Sequence, residues 1–287
     1  MMNRRQLFRL GMVAIVPYRL WGAIPNGKRR LLYFTGSAGF VHSVVKRDGG
    51  ALSCSENVLI EMGHRAGFDV DCTKDGRIFD GGLKGYDAVA FFTSGDLTQT
   101  TEGNPHPISP TGKRKLLDAI AEGTGFVGFH SATDTFHSKR EIDPYIAMIG
   151  GEFLAHGDQQ EASLALASKF PSAANLGLGE SLSFYDEWYA MRNFATDLHV
   201  VLLQETRMMK GAAYQRPDYP ATWARRYGKG RVFYTSLGHR EDVWTSPFFQ
   251  AIALGGIDWA TRRVDFDIRP NIAEVTPGAD QVNTEAQ

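Results

Sequence analysis

Residues Gly125 to Asp134, GFVGFHSATD, pass from an unbroken apolar run straight into a polar knot. A half-buried strand alternates apolar with polar positions, whereas a run that is apolar throughout fits a strand covered on both faces. Such a strand needs helices on each side of its sheet, which places the chain in the α/β class. In an open sheet of that kind, ligands bind outside the carboxyl ends of the strands. His130 therefore stands where a site would lie. The plainer reading is a strand-to-helix turn with Ser131 or Thr133 as N-cap, so the rest of the chain must show whether other groups reach the same place.

The other segments agree with a doubly wound, mostly parallel sheet flanked by helices. Leu31–Thr35, Phe68–Thr73, Tyr86–Thr93 and Leu198–Leu203 read as strands. Helices are expected from Leu52 to Ala66, Lys113 to Glu122, Glu141 to Ile149 and Pro247 to Arg262. In the first of these Val58, Leu59 and Met62 share a face, and Gly67 suits the residue just past the end. Glu161 to Ala167 alternates as a strand does, and Pro220–Tyr227 and Arg231–Ser236 flank the turn Gly228-Lys229-Gly230 as a hairpin. Residues 97–112, rich in Thr, Pro, Gly and Asn, read as a long loop of the kind that often serves as a lid. Residues 30–265 are expected to form one domain, and 266–287, where periodicity fades, a loose tail.

The formal net charge of -1 carries none of the basic bias that nucleic-acid binding leaves, so no nucleic-acid partner is expected. Two cysteines, Cys54 and Cys72, are too few for a disulfide framework and match no zinc spacing; buried free thiols are the expectation. The glycine turn Gly36–Ser43 (GSAGFVHS) is not GxGxxG and no GK[ST] follows, so no nucleotide cofactor is expected.

Residues 1–23 differ from the rest. Asn3 to Arg9, NRRQLFR, resembles a twin-arginine export signal, and the apolar stretch Leu10–Val16 after it is far shorter than the ~20 residues a membrane span needs. Export to a periplasmic space is the expectation, with no stable membrane insertion; a basic tail on a cytoplasmic protein is the alternative.

Four of the eight histidines share one setting. His42, His130, His156 and His239 each come after an apolar or glycine-rich approach and sit at a turn. Each one alone is better explained as a satisfied structural residue, but strand ends of a parallel sheet gather on one edge, so the four can meet. Glu187 and Asp186, inside the aromatic cluster FYDEWY, are natural additions. His42, His130, His156, Glu187 and His239 are the catalytic candidates. Asp134, Asp186, Trp188, Tyr189 and Trp223 are candidates for binding a substrate, the aromatics by stacking on sugar rings. His137 is a secondary candidate and His106 a weak one, while His64 and His199 read as structural. Two chemistries suit the cluster. One is a divalent metal held by neutral imidazoles, with His42, His130, His156 and His239 as the candidates, together with a carboxylate. The other is metal-free acid–base work by imidazoles of near-neutral pKa. The scattered spacing, unlike HExxH, favours the second.

The segments LLYFTGSAGFVHS, YDAVAFFTSGD, GFVGFHSATDTF, IGGEFLAHG, YDEWY, PATWARRYGKGRVFYTSLGH and GGIDWA together resemble the ThuA-like (trehalose utilisation) family over about Arg30 to Arg262. The resemblance implies the class I glutamine amidotransferase-like fold, related to the flavodoxin-like sheets, and a role in sugar or glycoside metabolism, on oxidised (keto) sugars above all. The wider fold places a cysteine in a Gly-x-Cys-x-Gly elbow on this strand. Here Gly128-Phe129-His130-Ser131-Ala132 puts histidine at that point, so glutaminase activity is not expected, since thiolate attack needs the thiol at the elbow. The expected activity is that of a hydrolase, lyase or isomerase on a sugar derivative. A non-catalytic sugar-binding or accessory protein is the alternative, and a homo-oligomer is compatible with either.

Overall fold

The computed structural model describes residues 28–171 and 180–282, so residues 1–23, read from the sequence as an export signal, lie outside the described residues. Five parallel strands form the centre of the sheet: β1 (Arg29–Phe34), β2 (Phe68–Thr73), β3 (Ala88–Phe91), β4 (Gly125–Phe129) and β11 (Gly230–Thr235), in the order β2-β1-β3-β4-β11. Beyond β11 the sheet continues antiparallel through β10 (Tyr219–Tyr227), β9 (His199–Glu205), β6 (Gln160–Leu166) and β7 (Ser181–Asp186). A second, two-stranded sheet pairs β5 (Glu152–His156) with β8 (Tyr189–Arg192). The α/β class and the mostly parallel central sheet are as the sequence implies, as is the antiparallel β10–β11 hairpin; the rest of the antiparallel wing is additional.

The central strands are apolar throughout because both faces are covered. Leu31, Tyr33, Ala88, Ala90, Val127 and Phe129 face one core. They share it with Leu59 and Met62 of α1 (Cys54–Ala66), Trp244 of α4 (Glu241–Thr245), and Phe249, Ile252 and Ile257 of α5 (Pro247–Ala260). Leu32, Phe34, Val89, Phe91 and Phe126 face the other, shared with Leu116 and Ile120 of α2 (Pro110–Glu122) and Ile146 and Ile149 of α3 (Pro144–Ile149). Helix ends obey local chemistry. Ser53 and Glu56 form a reciprocal capping box on α1, and Gly67 closes it at φ 78°. α2 starts three residues before Lys113 because Ser109 caps it and Pro110 suits the first turn. α3 is shorter than the expected 141–149, starting behind the Asp143 cap.

The tail is not loose as far as it is described. α6 (Ile272–Val275) packs beside β9: Val200 donates its N–H to Asn271 Oδ1 at 2.6 Å, and Asn271 Nδ2 donates to the Val200 carbonyl at 3.1 Å. Arg216 donates to the Ala279 carbonyl, and Asp280 accepts from the Phe194 N–H at 3.1 Å. A four-residue helix is too short to show a period in the sequence. Cys54 and Cys72 are free but only half-buried, another departure from expectation. Among the described residues no helix is long and apolar enough to cross a membrane.

Candidate histidine–carboxylate site

His130 is the first residue after β4, fully buried, with φ 41°. A side chain in the left-handed region costs on the order of 1–3 kcal/mol unless its surroundings hold it. Here Tyr234 on β11 donates its hydroxyl to the His130 carbonyl at 2.7 Å, and His130 Nδ1 lies 2.8 Å from the Ser236 carbonyl. A carbonyl only accepts, so Nδ1 carries the hydrogen and Nε2 is left facing the site. The chain continues from His130 to Asp134 as a 3-10 turn that neither Ser131 nor Thr133 caps; Thr133 instead hydrogen-bonds to Tyr234 at 3.0 Å.

Three further side chains gather around His130. Glu187, between β7 and β8, places Oε2 at 3.4 Å. His239, after β11 and the turn at Gly238 (φ 114°), places Nδ1 3.3 Å from His130 Nε2 and 3.1 Å from Glu187 Oε2. His42, on the loop after β1, is buried with its ring 5.0 Å from that of His130 and 5.1 Å from that of His239, both edge-on. One donor atom from each of His42, His130, Glu187 and His239 lies within 4.8 Å of the others. These four could hold a cation.

Burial, reinforced by repulsion from His130 and His239, pushes the His42 imidazole down to about 2, so it stays neutral. Burial alone would raise the Glu187 carboxyl, but the imidazoles of His130 and His239 outweigh it and hold the group well below the usual carboxylate range. Asp186 is raised by burial, which outweighs His130 and the backbone N–H groups of Gly238 and Glu187. The arrangement therefore sets a carboxylate held ionised among imidazoles whose ring nitrogens could ligate an ion.

His156, at the end of β5, stands outside the four. Its half-exposed side chain turns one atom to both neighbours: Nδ1 lies 2.9 Å from the Gly157 carbonyl, which accepts its hydrogen, and 3.4 Å from the other Glu187 oxygen. Asp186 is buried beneath, accepting from the N–H groups of Glu187 and Gly238, each at 3.0 Å. The Tyr189 ring packs 4.2 Å from that of His130. Asp134 pairs with His137 at 2.6 Å rather than with the centre, and His137 Nδ1 lies 3.4 Å from Glu152.

Trp188 and Trp223 do not line the site. Both are fully buried, in opposite cores: Trp188 donates to the Gln160 carbonyl and Trp223 to the Ile149 carbonyl, each at 2.8 Å. Neither presents a face to a sugar. His106 lies exposed on the 97–109 loop, and the carbonyl it contributes accepts from Gly76. His199 is buried between Ser168 and the Arg269 carbonyl, and His64 is exposed in the last turn of α1. Among the described residues, two exposed aromatics lie within two positions of a site candidate, and sequence reasoning gave neither a role. Phe40 is 66 % exposed with its ring 4.8 Å from that of His42, and Tyr185, 52 % exposed, lies under the Arg240 guanidinium. Their signal was position, one to two residues from a candidate, rather than residue type. A cleft of about 640 Å³ lined by Lys113, Phe136, His137 and Arg140 contains none of the four convergent residues.

The sequence model of the ThuA family, described as trehalose utilisation, matches residues 30–260. A search of curated proteins gives no match. Among solved structures, a ThuA-like protein from Parabacteroides merdae superposes with TM-score 0.62 at 20% identity, covering 87% of this chain and 96% of that one. A ThuA-like protein from Bacteroides uniformis gives 0.60 at 16%, covering 83% and 94%. A cytoplasmic protein from Salmonella typhimurium gives 0.53 at 13%, covering 81% and 98%. At these identities the likeness is one of fold.

Proposed function

Because this chain belongs to the ThuA family, linked to trehalose utilisation, we propose that it is an enzyme acting on a sugar, glycoside or keto-sugar derivative through the His130–Glu187 centre. The observation that carries this is the elbow after β4. In place of a nucleophile it holds an imidazole whose Nδ1 is fixed by Ser236 and whose Nε2 faces a carboxylate and a second imidazole. Such a centre suits proton transfer and polarisation at a hydroxyl or carbonyl oxygen, the groups in which sugars abound. His156, half-exposed with Nδ1 3.4 Å from the second oxygen of Glu187, is the residue to which contact with a bound ligand is assigned in this reading. Phe40 beside His42 offers the apolar face on which a sugar ring stacks, the role first expected of Trp188 and Trp223. Thiol chemistry has little support: burial pushes the Cys72 thiol up to about 12 and raises that of Cys54, and neither lies on the elbow.

The test is product formation from a panel of glycosides and their keto derivatives. His130→Gly, which tolerates the φ of the elbow, and Glu187→Gln should each lower kcat by at least ~100-fold, the lower end of what a positioned acid or base contributes. Undiminished turnover by His130→Gly sinks the proposal. Saturable calorimetric binding of a sugar with no product would move the chain to the accessory, non-catalytic reading.

A further inference from the structure

We propose that His42, His130, Glu187 and His239 form a binding centre for a first-row divalent cation of the zinc type. The argument starts from hydrogen counting. The Ser236 carbonyl fixes the hydrogen of neutral His130 on Nδ1, so the Nε2 lone pair points toward Glu187 Oε2 at 3.4 Å. A carboxylate oxygen also only accepts. The single hydrogen His239 Nδ1 can supply must serve both atoms, at 3.3 and 3.1 Å. Nearby, His42 Nδ1 is buried and has no hydrogen-bond partner among the described residues. With the imidazoles neutral, lone pairs thus outnumber hydrogens in a buried space, an arrangement that is costly unless a proton or a metal cation fills it.

The spacing fits a specific kind of cation. His130 Nε2, His239 Nδ1 and Glu187 Oε2 form a nearly equilateral triangle with edges of 3.1, 3.3 and 3.4 Å. Ligands held ~2.0–2.1 Å from a tetrahedral ion sit about 3.3 Å apart, so the triangle is one face of such a tetrahedron. His42 supplies the fourth donor from within 4.8 Å. Three imidazoles with one carboxylate are the donors that zinc and its neighbours take, rather than the all-oxygen sets of calcium or magnesium. The surroundings supply the outer support that metal-binding histidines need. Ser236 orients His130, and His156 Nδ1 stands 3.4 Å from the free oxygen of Glu187. The sequence spacing pointed away from a metal because the four ligands come from four separate turns; the geometry reverses that weighting.

Metal uptake is read without any sugar, so it can fail while the carbohydrate reading stands, and the reverse. Protein stripped with a chelator and titrated with Zn²⁺ against a chromophoric competitor should take up about one equivalent, as a single four-ligand site does. Co²⁺ should give the strong visible bands of a tetrahedral site. His42→Ala and His239→Ala should weaken Zn²⁺ binding by more than the ~10–100-fold that outer partners cost, while His137→Ala should leave it unchanged. Zn²⁺ should raise the melting temperature of the wild type and not of the ligand variants. His239, only partly buried, keeps the test decisive if the His42 variant does not fold. Absence of stoichiometric uptake by the wild type, or equal loss in His137→Ala, overturns the proposal.

Discussion

His137 shows how a single side chain can be strongly perturbed without belonging to the centre. Hydrogen bonds to Asp134 and Glu152 outweigh burial and raise its imidazole to about 9. An unfolded histidine titrates near 6.5, so the pairing stabilises the protein fully below that pH and the contribution is lost as the pH rises through about 9. The melting-temperature margin of the wild type over His137→Ala should therefore be largest near pH 6 and vanish above about pH 9, as thermal melts across that range would show. A margin that grows with pH would contradict the pairing. The sequence offered His137 only as a secondary candidate, and its charge partners are Asp134 and the distant Glu152. No local pattern announces a contact with Glu152.

At the scale of elements, the helix α5 sets how closely one face of the sheet can be covered. A Cβ on Gly256 would stand 2.2 Å from the Phe233 ring on β11, itself fully buried. Gly256→Ala should cost about 1–3 kcal/mol, the usual penalty for overpacking, seen as a lower midpoint in urea denaturation with an unchanged slope. The helices and parallel strands were legible because apolar runs and capping residues are local signals. The antiparallel wing was less so. β10 and β9 are largely buried, as β4 is, and such strands look alike in either direction. The aromatic assignments failed for a related reason. An acidic residue among aromatics marks a crowded place, but not which face a ring takes, and Trp188 and Trp223 took the core.

For the whole molecule, the docked tail matters beyond its length. Ile272 and Ala279 are buried against the wing, and Asn271 completes the hydrogen bonding of Val200. Removing residues 271–287 should cost about 2 kcal/mol or more from the isoleucine alone, lowering the melting temperature by roughly 4–8 °C. Differential scanning calorimetry of the truncated chain measures this directly, and an unchanged melting temperature would show the tail to be dispensable. The convergence of the histidines came from one rule legible in the sequence: turns after parallel strands share an edge. That rule could not rank them. His156 arrives on the small β5–β8 sheet instead, which is why it touches the centre from outside.

The four central residues are also far apart along the chain, each more than fifty positions from the next. Whatever binds all of them at once closes three long loops together and so acts as a removable cross-link. The entropy of holding those loops shut grows only slowly with their length, which makes such a tie inexpensive to form and global in its reach. Occupancy of the centre should therefore register as slowed amide exchange in strands that never touch the ligand. The protein's rigidity would then report whether its site is filled.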